Sequence, residues 1–389
     1  MKYFLKRKTI ITIFCLLILA PLSSTYSQDD SFRFSLQGQA SAWVNSIPEK
    51  SFISQAGVRY LPDLLIDKII SDNLFLEAEL SINSYISTDI NNWKSKDSHA
   101  KLKLYRSWLR ISTSHFELRA GLQKINFGSA TLFRPLMWFD KIDPRDPLKF
   151  TDGVYGLLAR YYSNNNSNIW LWGLYGNNDF KGWEIFPTKK KSIEFGGRVQ
   201  SSFLTGEAGI TYHHRQAEQS IFPLANQLSN KHSFEENRIA FDGKWDIEIG
   251  AWIEAALINR KTAILSLKHQ RMITLGADYT FSVGNGLHIV SEFFNTENSE
   301  KLLGKGDGNN FIGFSADYPI GLLDNVSVFF YRDWTNKENY FTLNWQRTYD
   351  NWMIYFIGFF NPDNAKINQT QNGNALAGKG FQIMVVFNH

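Results

Sequence analysis

The residues best suited to act on a solute lie in one long connection, Gly128–Gly153. Its centre is apolar from Leu136 to Phe139, and three prolines stiffen it. Its candidate functional residues are Arg134, Trp138, Asp140, Asp143, Arg145 and Asp146. A connection of this length and apolar content is not expected to extend freely into water. Charged groups held beside a water-filled passage would select solutes by their charge.

A second set of charged residues forms a row on neighbouring stretches of alternating sequence. The row consists of Arg106, Arg110, Arg119, Arg160 and Arg198, with Gln123 at the end of one stretch. Arginine keeps its charge at any relevant pH and presents a rigid fork of donors, so a row facing carboxylates would set up a field across a passage. The alternative is a structural lattice in which Glu117, Glu194 and Glu207 neutralise the row. For any single arginine we favour the lattice.

Other kinds of chemistry have weaker support. His213 and His214 are adjacent on a predicted strand, so they point to opposite faces and cannot bind one metal ion together. His213 with Glu207 or Ser201-Ser202 would suit hydrolysis, but no spacing marks a catalytic set, and we favour a hydrogen-bonded wall residue. No phosphate loop, dinucleotide fingerprint or nucleic-acid module occurs. We therefore predict no catalytic residue, cofactor, metal site, enzyme activity or nucleic-acid partner.

The elements that must position these residues are strands. About eighteen windows of roughly ten residues alternate between apolar and polar side chains. In the clearest window, Phe116, Leu118, Ala120 and Leu122 oppose Glu117, Arg119, Gly121 and Gln123. The polar faces favour Arg, Glu, Asp, Gln and Gly over Lys, which suits mutual pairing inside a lumen. The sequence predicts an all-β fold, a transmembrane antiparallel β-barrel of about 16–18 strands, with a secreted sandwich or solenoid as the alternative.

The connections between windows alternate between short and long. Short ones, such as Leu204–Gly206 and Asp350-Asn351, contain the Asn, Gly and Asp that hairpins need. This is the pattern of short periplasmic turns and long external loops, and it places both termini on the periplasmic side. Pro62–Ser71 is too long and too apolar for a simple turn, and its apolar residues are compatible with one predicted helical turn.

The composition of Gly128–Gly153 predicts where this connection goes. We expect it to fold into the barrel and narrow the lumen, with its charged side chains facing the pore and Arg134 tying it to the wall. A cap on the external rim, or a partner site, is the alternative.

The two ends of the chain carry different signals. Lys2 and Lys6–Lys8 precede a short apolar run and then the small residues Ser23–Ser27, which is the order of a secretory signal peptide. We predict cleavage after Ser27, with a retained membrane anchor as the alternative, and a single barrel domain over residues 28–389. The only cysteine, Cys15, lies in the predicted signal.

The last strand is predicted to close the barrel. Phe381, Ile383, Val385 and Phe387 share one face, and Gln382 and Asn388 lie on the other. An exposed apolar strand invites aggregation, whereas a closed sheet leaves no such edge. We expect this strand to pair with Phe32–Asn45.

One stretch resembles a known group. The run Gly121-Leu122-Gln123-Lys124-Ile125-Asn126-Phe127-Gly128 resembles the Gly-x-Gln-x-Ile-x-aromatic-Gly strand end of porin-like outer-membrane barrels, including the alginate-export-like group. The segment from Arg134-Pro135-Leu136 to Asp143-Pro144-Arg145-Asp146-Pro147 is similar to a loop of barrels from Bacteroidota. The resemblance covers about thirty residues. It implies passage of solutes or surface interaction, and recognition of the C-terminal strand by the barrel assembly machinery.

These observations favour passive transport of small polar or anionic solutes across the cell outer membrane, with outer-membrane lipid around the barrel. A non-conducting barrel that anchors a surface or secretion complex is the second hypothesis, and an outer-membrane hydrolase is a weaker third. Trp108, Trp138, Trp183 and Trp252 could stack on sugar rings, although most aromatic residues should belong to interfacial girdles.

Overall fold

The computed structural model describes residues 32–48, 51–91, 94–219, 232–362 and 376–389. The expected signal peptide, with its cleavage point and Cys15, lies outside these residues. Parts of the long connections before Ser233 and before Lys379 also lie outside them.

Eighteen strands form a single sheet. They are β1 Arg33–Ile47, β2 Ser51–Ser71, β3 Leu74–Asn91, β4 Lys94–Ser112, β5 Phe116–Gln123, β6 Val154–Tyr162, β7 Asn168–Tyr175, β8 Ile193–Phe203, β9 Gly206–Glu218, β10 Ser233–Ile247, β11 Ile249–Arg260, β12 His269–Phe281, β13 Leu287–Ser299, β14 Asp307–Pro319, β15 Asp324–Asp333, β16 Glu338–Tyr349, β17 Trp352–Phe360 and β18 Lys379–Asn388. Neighbours pair antiparallel throughout, and β1 pairs with both β2 and β18. The predicted antiparallel barrel is confirmed, with the larger of the expected strand numbers.

Helical structure in the described residues is limited to one 3-10 turn, Leu265–Leu267. No helix in that part of the chain is long and apolar enough to span a membrane.

The helical turn predicted within Pro62–Ser71 is wrong, because these residues continue strand β2. Pro62 pairs with Gly38 of β1, while the β2–β3 ladder omits Pro62 and its neighbour Leu61. A proline has no N–H to donate, so the ladder is interrupted on one side only. Pairing with β1 overrides the local helical tendency of the apolar run.

Side chains alternate between the lumen and the outer face along each strand. On β10, Glu236, Arg238 and Asp242 are buried inside, whereas Ile239 and Phe241 are exposed on the outside. The outer surface is therefore largely apolar and the lumen wall largely polar, which is the arrangement that a barrel in lipid requires.

The seam between the first and last strands is continuous. It runs from Gln39 opposite Asn388 to Ser46 opposite Phe381. Ile383 is exposed on the outer face, and Met384 next to it is buried. The prediction that the last strand closes the barrel on the first is confirmed.

The largest apolar core lies inside the barrel. It joins Phe133 and Trp138, from the connection between β5 and β6, to wall residues such as Trp252, Phe294 and Tyr331. These wall residues belong to β11, β13 and β15, so the connection must cross the lumen to reach them. The prediction that this connection folds inward is confirmed. We call residues 124–153 the inward segment.

Candidate functional site

Glu292 of β13 holds the inward segment from the opposite wall. Its carboxylate accepts backbone N–H groups of Thr131 at 2.6 Å, Leu132 at 3.0 Å and Phe133 at 2.6 Å. It also accepts the indole N–H of Trp252 at 2.9 Å. A segment without regular structure leaves backbone donors that need acceptors when they are buried. An ionised carboxylate can accept several such bonds at once.

Glu254 of β11 makes a second attachment of the same kind. It accepts the backbone N–H of Ala130 at 2.8 Å and that of Leu136 at 3.3 Å. On the neighbouring strand, the Thr274 hydroxyl donates to the Phe133 carbonyl at 2.7 Å. The wall strands therefore bind the segment through its main-chain atoms. The types of its side chains do not indicate where these bonds form.

Aromatic packing fills this side of the lumen. The Phe133 ring is fully buried, with its centroid 5.6 Å from that of Phe294 and 4.9 Å from that of Tyr331. The Trp138 ring meets Phe127 edge-on at 5.9 Å. Such contacts exclude water from the part of the lumen that lies between the inward segment and β11–β15.

The charged residues of the inward segment mostly pair with each other. Arg134 contacts Asp140 at 3.1 Å and also binds Asn126, so it stabilises the segment itself rather than tying it to a strand. Arg145 pairs with Asp143 at 2.8 Å, and both side chains are buried. Burial raises the pKa of the Asp140 carboxyl, an effect that Arg134 opposes.

The connection between β7 and β8 packs on top of the inward segment. The backbone N–H of Gly182 donates to the Asp140 carbonyl at 3.0 Å, and the Trp183 indole donates to the Arg134 carbonyl at 3.1 Å. Gly182 has a positive φ of 34°, and a Cβ there would lie 2.0 Å from the Met137 carbonyl oxygen. Only glycine allows this close approach.

A buried ionic cluster fixes the same connection to the wall. Glu236 of β10 lies 2.7 Å from each of Arg215, Arg238 and Arg260. Glu184, from the connection, contacts Arg215 at 2.8 Å and Arg238 at 2.7 Å. We call these five residues the Glu236 cluster. Each charged side chain has an oppositely charged partner at hydrogen-bond distance, which is a condition for keeping ions inside a protein.

Three members of the predicted arginine row converge on one carboxylate. Glu117 lies 3.7 Å from Arg110, 3.1 Å from Arg119 and 3.5 Å from Arg160. Arg110 also pairs with Glu77 of β3. This group lies near the short turns, away from the inward segment, and it has the geometry of the structural lattice.

The other members of the row have separate partners. Arg198 pairs with Asp242 at 2.5 Å. Arg106 donates to the Thr151 carbonyl at 3.0 Å, and this is a contact between the row and the inward segment. Gln123 donates to the Gly156 carbonyl at 3.1 Å. Among the described residues, no arginine of the row forms an ion pair with a carboxylate of the inward segment, and Arg106 contacts its main chain.

An open cavity of about 390 Å³ lies on the other side of the inward segment, against β1–β4, β17 and β18. Its lining includes Trp43, Arg59, Tyr85, Asp146, Phe150 and Gln382. Asp143 also lines it, but Asp140 and Arg145 do not. The inward segment therefore fills the lumen off-centre and leaves free volume beside the seam.

Arg59 is the arginine of this cavity, which Lys141 also lines. Its guanidinium lies 4.1 Å from the Phe150 ring centroid and 5.6 Å from that of Trp43. Among the described residues, none forms an ion pair with it within 4.0 Å. Burial raises the pKa of the nearby Asp146 carboxyl. The hydrogen bond from the Leu148 N–H and the charge of Arg59 act in the opposite direction and lower this pKa. A guanidinium held by aromatic faces keeps donors available for a solute.

His213 occupies a wall position. It is buried, its ring lies 3.3 Å from Glu194, and the Trp172 indole donates to it at 3.2 Å. These contacts account for both ring nitrogens. Within the described ranges, no cluster of His, Cys, Asp or Glu could hold a metal ion.

Sequence reasoning missed Glu254, Glu292 and Arg59. The two glutamates carry a usable signal, since each is an acid with an apolar neighbour on both sides along its inward face. Glu254 lies between Trp252 and Ala256, and Glu292 lies between Val290 and Phe294. An isolated carboxylate at such a position needs a donor from elsewhere. Arg59 carries no comparable signal.

The comparison of this chain with known proteins shows a similarity in fold only. No protein-family model matches this chain, and no curated protein matches it either. OccAB2 of Acinetobacter baumannii is similar in structure, with a TM-score of 0.55 and 8% identity over 92% of this chain and 98% of that one. OmpT of Vibrio cholerae has a TM-score of 0.49 and 12% identity, over 92% of this chain and 100% of that chain. OmpF of Salmonella typhi has a TM-score of 0.48 and 11% identity, over 94% of this chain and 99% of that chain. The chain folds as a closed, 18-stranded antiparallel β-barrel, and this fold is similar to that of OccAB2.

Proposed function

We propose that this chain forms an outer-membrane channel for passive diffusion of small polar or anionic solutes. The observation that carries the proposal is the cavity between the inward segment and the wall of β1–β4, β17 and β18. An 18-stranded barrel encloses more volume than its wall side chains fill. The inward segment removes part of that volume and leaves a lined space beside the seam. Solutes would pass there and not through the packed side.

The proposed location follows from the surface of the barrel. An apolar outer face and a polar lumen suit a bilayer, where every backbone polar group must be paired within the protein. Export would use the predicted signal peptide, cleaved after Ser27, which sequencing the N-terminus of the purified barrel would test. Insertion would use the barrel assembly machinery through β18.

Single-channel recording in planar lipid bilayers tests the channel. We expect steady, ohmic openings from the purified full-length barrel, with a preference for anions over cations in a salt gradient. A correctly folded barrel that stays electrically silent would contradict the proposal. It would favour the second hypothesis, a non-conducting barrel that anchors a surface complex, for which the packed aromatic core of the lumen is the supporting observation.

Arg59 is expected to set the charge preference of the passage. Replacing it by glutamate, Arg59→Glu, places a negative charge beside Asp146 and removes the only described arginine that lines the cavity. The anion preference should fall or reverse, because the arginine of a lining that otherwise includes Lys141 and several aspartates becomes acidic. Reversal potentials in a tenfold salt gradient measure this effect.

Arg332→Glu is the matched control for this substitution. It makes the same charge change, but Arg332 lies at the rim and binds Asn339 at 2.7 Å. Equal shifts in reversal potential from both variants would show that Arg59 has no special position in the passage.

A further inference from the structure

The open cavity beside the seam is lined by a buried arginine whose donors are available to a solute. Arg59 is 7% exposed. Aromatic rings hold its guanidinium, with ring centroids 4.1 Å away at Phe150 and 5.5 Å away at Tyr85. Its Nε is buried without a hydrogen-bond partner among the described residues. Because a desolvated cation is stabilised by an anion at hydrogen-bond distance, Arg59 suits an anionic group of a solute.

A carboxylate of the inward segment lines the same cavity. Asp146 accepts the backbone N–H of Leu148 at 3.0 Å. In the part of the chain that the structure describes, no cation forms an ion pair with it within 4.0 Å. Arg59 and Asp146 thus share one cavity without contacting each other. Two opposite charges in this arrangement can each bind the opposite charge of a single solute.

The charges of the whole lining favour a solute that carries both signs. Asp143 is compensated by an ion pair of 2.8 Å within the inward segment. The remaining charged residues of the lining are Arg59 and Lys141 on one side of the balance, and Asp89 and Asp146 on the other. An anion that binds Arg59 would be repelled by the nearby Asp146 carboxylate, whereas a zwitterion would be attracted by both groups.

The wall of β17 and β18 adds an apolar patch to the same lining. Ile357 and Met384 are buried on the inner side of these strands, and they form a hydrophobic cluster against which Trp43 and Leu148 pack. All four residues line the cavity. Because contact between apolar surfaces is favourable in water, this patch suits an apolar part of the solute.

The volume of the cavity limits the size of the solute. Its 390 Å³ lies near the lower end of the range for ligand pockets, which is about 300–1,000 Å³. One small molecule fits such a space, whereas an oligosaccharide or a long peptide does not. A single amino acid with an apolar side chain combines an anionic group, a cationic group and an apolar part within this size.

We propose that the cavity beside the seam is a saturable binding site for one α-amino acid with an apolar side chain, of the size of leucine. The α-carboxylate binds Arg59, the α-ammonium group binds Asp146, and the side chain contacts Ile357 and Met384. This inference rests on the proposed function, since it names the class of solute that the passage would take. Weak binding inside a passage favours entry of that solute and still permits its release.

Leucine and two analogues test the charged contacts. Binding to the purified full-length barrel in detergent is followed by saturation-transfer NMR, which detects weak ligands and does not require conduction. We expect leucine to bind with a Kd of about 1 mM. The analogue 4-methylpentanoate lacks the ammonium group, and 3-methylbutylamine lacks the carboxylate. Each analogue should bind about tenfold more weakly than leucine, because it leaves one charge of the cavity without its partner.

Two variants of the barrel assign each charge to its residue. Arg59→Gln should weaken the binding of leucine and 4-methylpentanoate about tenfold and leave that of 3-methylbutylamine unchanged. Asp146→Asn keeps an acceptor oxygen for the Leu148 N–H, and it should weaken the binding of leucine and 3-methylbutylamine but not that of 4-methylpentanoate. Arg332→Gln at the rim is the matched control. If either cavity variant does not fold, the three ligands decide on the unmodified barrel.

Three results would overturn the proposal. They are equal binding of the three ligands, binding of 4-methylpentanoate as tight as that of leucine, and no binding of leucine at about 100 mM. Steady channel openings without leucine binding would contradict this inference and leave the proposed channel intact. An electrically silent barrel that binds leucine would contradict only the channel.

Discussion

A barrel with both Glu254→Ala and Glu292→Ala should conduct several-fold more current than the unmodified barrel. The two carboxylates accept main-chain donors of the inward segment from Ala130 to Leu136. Without them, these buried N–H groups lose their acceptors, at a cost of about 1–3 kcal/mol each. The segment should leave the packed side of the lumen, because its donors regain partners in water.

Single-channel conductance and trypsin sensitivity of the inward segment measure this release. Glu292→Gln should have an intermediate effect, since an amide keeps one acceptor oxygen and replaces the other by a donor. Glu297→Ala is the matched control on the same strand, because Glu297 pairs with Arg271 at 2.7 Å, away from the segment. Unchanged conductance in the double variant, with the segment still protected from trypsin, would mean that the aromatic packing holds it without the carboxylates.

Loss of the Glu236 carboxylate should strongly destabilise the barrel. Glu236 is fully buried and contacts Arg215, Arg238 and Arg260. In Glu236→Ala, Glu184 remains for Arg215 and Arg238, whereas Arg260 keeps no carboxylate among its described contacts. Breaking a buried ion pair by removing one partner costs about 3–5 kcal/mol, because the other charge stays desolvated.

The adjacent residue provides the control for this prediction. Glu235 lies on the opposite face, with its side chain 44% exposed, and pairs with Lys261 at 2.6 Å. Glu235→Gln should therefore cost less than about 1 kcal/mol. Thermal unfolding followed by circular dichroism compares the two variants in the same detergent. Similar midpoints for both would show that the Glu236 cluster adds little to stability.

Local sequence patterns were sufficient to predict the wall of the barrel. Alternation has a period of two, and a strand needs no distant information to place its side chains on two faces. The windows around Phe116–Gln123 and Phe381–Phe387 therefore predicted both the strands and their outward faces. Pro62–Ser71 was the exception, because pairing with β1 decided its conformation and no local feature expressed that pairing.

The contents of the lumen depended on tertiary structure. Sequence composition predicted that the connection would fold inward, since an apolar, proline-stiffened segment is not expected to remain in water. It could not predict that Glu254 and Glu292 would bind the main chain of that segment, because backbone donors are the same at every residue. The sequence pattern also predicted that Arg134 ties the segment to the wall, whereas Arg134 forms an ion pair with Asp140 within the segment.

The sequence by itself thus determined a closed, two-faced barrel with a long inward connection. The tertiary structure decided which side of the lumen is packed and which side stays open beside Arg59. The physical reason is the distance between partners. Alternation and turn chemistry act over a few residues, whereas the contact between Thr131 and Glu292 joins residues 161 positions apart that meet only when the sheet has closed.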